Sequence, residues 1–205
     1  MGGEPCDGGA VLVIDHSYWY ATRAAGVASY VLLTLSIVWG LLLTTRLGDR
    51  WLGKPVVYEA HRVASIFVLA FIGVHVSTLL GDTYIEWDAK SLLLPLGGDY
   101  RPLWVGLGVA VTYLTALVTV SFYVRRFIGY KAWRRLHSVS FATFAGATLH
   151  GIMSGSDTRE PWMLATYIGA AVIVVFLVNL RLVGGVREQR ALRPVSVAPT
   201  QLKAG

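Results

Sequence analysis

The chain has 205 residues, of which 55% are hydrophobic and only 15% charged, with a mean hydropathy of +0.57. A soluble domain carries about a quarter charged residues, so this composition excludes an ordinary water-soluble enzyme and points to membrane-spanning helices. The formal charge of +6, with a pI near 9.6, sits in short basic clusters beside apolar runs; that is a topology signal rather than a nucleic-acid face.

Residues 1–24 read as an interfacial segment outside the cytoplasm. They lack the basic start and the long apolar run of a secretory signal, since VLVI at Val11–Ile14 is too short. Asp15–Tyr20 (DHSYWY) resembles an aromatic anchor at the membrane surface. The lone Cys6 excludes an intramolecular disulfide, a CxxC pair and a CxxCH haem attachment. Residues 25–183 then hold five apolar stretches of spanning length: Ala25–Thr45, Ala60–Leu80, Leu103–Val124, Trp133–Met153 and Met163–Val183. The expected fold is an all-α integral membrane bundle of five transmembrane helices. Gly81–Pro102 is the longest connection, with an LLLPL run that would lie on the membrane or cover one end of the bundle. GLGVAV at Gly106–Val111 is no dinucleotide fingerprint, because it lies inside a span with no strand before it. Residues 184–205 form a basic tail expected to be disordered and cytoplasmic.

Lysine and arginine placement sets the expected orientation. Arg46, Arg50 and Lys54 follow the first span; Arg125, Arg126, Lys131, Arg134 and Arg135 follow the third; Arg187, Arg190, Arg193 and Lys203 follow the fifth. The opposite sides are acidic or mixed, with Asp82, Glu86, Asp88 and Asp99, then Asp157 and Glu160. The positive-inside rule puts the N-terminus outside and the C-terminus in the cytoplasm, and five spans have the same parity.

Four of the five histidines lie in two spans: His61 and His75 in the second, His137 and His150 in the fourth. The two spans run in the same direction, so His61 matches His137 in level and His75 matches His150. The spacings of 14 and 13 residues correspond to about 20 Å of helix. An imidazole in hydrocarbon needs a partner, and a helix–helix hydrogen bond is the plainest one. Two matched layers are harder to attribute to packing, and bis-imidazole ligation of haem iron requires such a pair at each level. At about 100° per residue 13 positions fall about 140° short of a whole turn, so the fourth helix is expected to overwind near Gly146 or to hold its ligands at different angles. His16 lies outside the spans and is expected at the surface.

HR-x12-H at His61–His75 and H-x12-H at His137–His150, preceded by RRL, resemble the ferric reductase-like transmembrane domain. That superfamily includes NADPH oxidases, ferric reductases and the MsrQ (YedZ-type) haem-binding subunit. YRPLWVG (Tyr100–Gly106) followed by WRRLH (Trp133–His137) is most similar to the MsrQ branch, and the likeness covers about residues 18–183. The resemblance implies two haem b groups on these four histidines, passing single electrons across a bacterial cytoplasmic membrane to an acceptor, such as a partner enzyme, at the outer face. Many members have six spans and the oxidases continue into a flavin and nicotinamide domain, whereas five spans and a short tail are read here. The donor is therefore expected to be a separate cytoplasmic flavin reductase, a bound FMN or FAD, or a quinol.

Around those positions, Arg62, Arg134 and Arg135 would pair with haem propionates or act only as topology signals, with Lys90 or Arg101 serving the other level. Phe67, Phe71, Phe141 and Phe144 fall between the layers, where apolar packing is the simpler description. The competing expectations are a quinol-coupled subunit resembling cytochrome b561 and a histidine-dependent metal or proton transporter. No Ser/His/Asp constellation or carboxylate pair points to hydrolysis.

Overall fold

A computed structural model describes residues 17–45, 52–82, 85 and 87–191 of the chain. The described residues form seven helices and no strand: α1 (Ser17–Leu42), α2 (Lys54–Leu79), α3 (Ala89–Leu93), α4 (Pro102–Ile128), α5 (Tyr130–His137), α6 (Ser140–Ser154) and α7 (Pro161–Ala191). Cys6, His16, Arg46, Arg50, Glu86, Arg193 and Lys203 lie outside the described residues.

Four helices are long and apolar enough to cross a membrane: α1, α2, α4 and the Pro161–Gly184 part of α7. The chain is thus an all-helical protein of membrane character. Helix ends follow the local chemistry. Pro55 and Pro102 stand in the first turns of α2 and α4, where a missing N–H costs nothing. Gly53 and Gly129 precede α2 and α5 with φ of 78° and 79°, a left-handed region that favours glycine.

The expected fourth span is where sequence and structure part. It is delivered as α5 and α6, separated at Ser138–Val139, and α6 alone has 15 residues. At about 1.5 Å per residue α6 falls short of a hydrocarbon core of about 30 Å. Across the break Val139 donates to the Leu136 carbonyl (3.0 Å) and Phe141 to that of Ser138 (3.3 Å), both one residue tighter than α-helical bonds. Each step wound at about 120° rather than 100° recovers about 20° of rotation, so these turns work against the 13-residue mismatch. Overwinding therefore lies beside His137 and not at Gly146. Gly146 instead lets α6 approach α4, because a Cβ there would come within 2.6 Å of Val111 Cγ2.

α1 is the centre of the bundle. It packs most extensively on α2 and also touches α6 and α7, while α4 packs on α6. Its inward stripe Tyr30, Leu33, Ile37 and Leu41 joins Val68 of α2, Phe144 of α6, and Met163, Tyr167, Ala170, Val174 and Leu177 of α7. Tyr30 stacks on Phe144 (6.1 Å between centroids), meets Tyr167 edge-on (5.0 Å), and its hydroxyl lies 3.1 Å from Thr148 Oγ1. Outward faces carry Val172, Val175 and Phe176 of α7, as lipid contact demands. Phe67, expected between the histidine layers, is also turned outward at 50% exposure, whereas Phe141 and Phe144 belong to the core.

Two braces tie the end of the bundle that holds the α6–α7 connection. Arg23 of α1 makes a two-point ion pair with Asp157, and its guanidinium lies 4.0 Å from the Trp19 ring centroid. Arg101 donates to the Met153 carbonyl near the end of α6. The long connection rests on α4: Tyr113 donates to the Leu93 carbonyl (2.7 Å), and Gly106 leaves room for the Leu96 backbone. Asp88 caps α3 by accepting from the Ser91 amide at 2.8 Å. Hydrogen bonds from Ser91 hold the Asp88 carboxyl below its usual range.

Candidate functional site

The four histidines come from three helices: His61 and His75 from α2, His137 from the end of α5, and His150 from α6. Among the described residues α2 and α6 are not a closely packed pair, while α1 lies against both. His61 and His137 meet with ring centroids 6.0 Å apart and planes at 78°. His75 and His150 are close enough to interact electrostatically. The described helices thus bring His61 near His137 and His75 near His150. Tyr30, Val68 and Phe144 occupy the interval between the layers.

Three rings are held in one manner. His75 donates from Nδ1 to the Thr22 carbonyl (2.9 Å), His61 to the Ser36 carbonyl (2.8 Å) and His150 to the Trp104 carbonyl (2.8 Å). A carbonyl only accepts, so Nδ1 must carry a proton in each ring, and in the neutral imidazole Nε2 then keeps its lone pair. Hydroxyls reinforce the α1–α2 side: Thr22 donates to Thr78 (2.9 Å), and Ser36 and Ser65 lie 2.7 Å apart.

His137 departs from this pattern. Its Nδ1 is buried and has no hydrogen-bond partner among the described residues. The ring instead stacks on Trp133 (5.2 Å, 29°), and Arg181 of α7 is near enough to act on it electrostatically. Trp133 belongs to an aromatic and basic cluster with Phe122 and Arg125, whose guanidinium lies 4.4 Å from the Phe122 centroid.

The expected cofactors, two haem b groups with FMN or FAD as a further possibility, are corrected here. Holding a metal from the chain's own donors takes three or more ligands together. Among the described residues no group of three or more His, Cys, Asp or Glu could hold a metal ion. The reason is geometric. Each layer contains only two imidazoles, and 14 or 13 residues of helix keep the layers from pooling their donors. The carboxylates of Glu59 and Asp157 are already engaged by Arg62 and Arg23. Arg62, expected at a propionate, is exposed and bonded to Glu59 at 2.8 Å; Arg134 and Arg135 are exposed on α5, and Lys90 and Arg101 on the far side.

Sequence reasoning missed three glycines. A Cβ on Gly26 would lie 3.1 Å from the His75 ring, one on Gly40 3.3 Å from His61, and one on Gly108 2.5 Å from His150. One signal was present: Gly26 and Gly40 are spaced by 14 residues, as are His61 and His75 on the antiparallel neighbour. Compared with protein-family models, curated proteins and solved structures, the chain matches none.

Proposed function

We propose that this chain carries electrons across a membrane, from a cytoplasmic donor to an acceptor at the outer face, along a path marked by the two histidine layers; an imidazole takes up no electron itself, so the redox groups belong to the donor and the acceptor. One observation carries the proposal: two cross-helix imidazole pairs are stacked along the bundle, and three of the four rings are fixed by an Nδ1–H bond to a helix carbonyl. Packing alone would not call for two levels of matched rings in an apolar interior, where each polar side chain is costly. The likeness of the four-histidine pattern to the ferric reductase-like transmembrane domain supports the same direction. The donor is a separate reductase or a quinol, and the acceptor an outer-face partner.

In this proposal α5 and α6 together make the fourth of five crossings, with the N-terminus outside and the His61–His137 layer on the cytoplasmic side of a bacterial membrane. The basic residues Arg125, Arg126, Lys131, Arg134 and Arg135 support that orientation. A reporter placed near Gly129 is expected to read cytoplasm and one near Gly97 the outside. The reverse result overturns the orientation.

A second reading is a proton relay, favoured by the same tautomer: a ring with Nδ1–H and a bare Nε2 can give one proton and take another. Sealed membrane vesicles containing the chain separate the two. An impermeant reductant on one side and an impermeant ferric acceptor on the other report electrons, and a trapped pH dye reports protons. Electron flux above that of vesicles without the chain, lost in His75→Ala and His150→Ala, is the expected result. Acidification without electron flux would replace it with the relay.

A further inference from the structure

We propose that Gly26, Gly40 and Gly108 are positioning residues that fix the tautomer of the histidine layers by uncovering a helix carbonyl. The three sites repeat one unit on two different helices. Thr22 and Gly26, Ser36 and Gly40, and Trp104 and Gly108 are each four residues apart: the first supplies the carbonyl, and the second is where the imidazole rests. Helix geometry explains the interval. A side chain leans toward the helix N-terminus and covers the turn before its own Cα, so a residue at i+4 shields the carbonyl at i. That carbonyl already accepts the helical N–H of residue i+4, and only a missing side chain leaves its second lone pair open to an imidazole.

Each of these three histidines thereby gains a carbonyl acceptor that places a proton on Nδ1. In the neutral ring Nε2 then keeps its lone pair. His137 has no such unit, and its Nδ1 is the one left without a partner. This inference deepens the charge-transfer proposal, on which its functional meaning rests, but the tautomer is measurable without any flux.

The experiment is solid-state NMR of the full chain in lipid bilayers with 15N-labelled histidine, reading which ring nitrogen carries a directly bonded proton. His→Gln variants assign the four rings. In the unsubstituted protein His61, His75 and His150 are expected to show protonated Nδ1. Gly108→Ala, the tightest site, is expected to abolish that state for His150 alone. Gly26→Ala should do so in part for His75, and Gly40→Ala least for His61, following the order of their Cβ distances. Gly73→Ala and Gly169→Ala are controls, because a Cβ at either position meets nothing within 4 Å. Should Gly108→Ala fail to fold, Gly26→Ala, with its milder overlap, carries the test through His75. Retention of protonated Nδ1 on the cognate histidine in a folded glycine variant overturns the inference. So does an equal change in the controls. A lost tautomer with undiminished electron flux leaves the glycine assignment standing and removes the charge-transfer reading instead.

Discussion

In the His75–His150 layer both rings donate to a helix carbonyl and rest against a glycine; in the His61–His137 layer only His61 does. The first layer is flanked by continuous helices, α1 and α4, that run past each histidine with the carbonyl and glycine in register. The second has its free member at the break between α5 and α6, against Trp133 and near α7. A ring is locked when a neighbouring helix supplies both an open acceptor and the room to reach it. Where the chain breaks, the Nδ1 of His137 is left without a partner among the described residues.

The braces show the same asymmetry. The Arg23–Asp157 ion pair near the first layer is largely enclosed, with Asp157 at 9% exposure. The Arg62–Glu59 pair at the other end is exposed and confined to one helical turn.

The largest effect that can break this comparison is loss of a locked ring. His75→Ala and His150→Ala are each expected to lower electron flux to that of vesicles without the chain, because the layers act in series. His150→Ala with full flux would remove the first layer from the path. Next comes the enclosed brace. Asp157→Asn leaves a charged guanidinium partly buried and should lower stability by about 1–3 kcal/mol, between the costs of exposed and buried pairs, read as the midpoint of unfolding in detergent. Arg62→Ala should move the same midpoint by no more than about 0.5 kcal/mol. Equal effects would show that the two ends are braced alike.

Smaller still is the restraint on the free ring. Trp133→Leu removes the stacking partner of His137, a contact of about 0.5–1.5 kcal/mol, and should mix its tautomers further while His61 keeps protonated Nδ1. Simultaneous loss at His61 would mean that the inner rings are locked as a pair. The least effect concerns the α3 cap. Because folding depresses the Asp88 carboxyl, its contribution is fully present above the ordinary value of 3.8 and disappears as pH falls through the lower folded value. Hydrogen exchange at the Ser91 amide should therefore lose protection, relative to exchange in an unstructured peptide, only in strong acid, and Asp88→Ala should remove that pH dependence.

The membrane character was legible in the sequence, and of the five expected spans four are helices long and apolar enough to cross a membrane. Both depend on a local quantity, apolar run length. The expectation of His61 with His137 and His75 with His150 rested on helix rise alone. The break after His137 was not legible, because WRRLHSVSFATF carries neither proline nor glycine to mark it; packing against α4 and α1 decides where the winding tightens. The Glu59–Arg62 pair, by contrast, was legible, since three residues on one helix place a carboxylate beside a guanidinium. Whether a ring is locked or free is decided between helices, by which carbonyl faces it and whether the residue four places on has a side chain. The 14-residue echo of Gly26 and Gly40 in His75 and His61 was written in the sequence, but it acquires meaning only when α1 and α2 lie antiparallel in one register. Tertiary structure alone sets that register, since it depends on which side chains of two separate helices fit together.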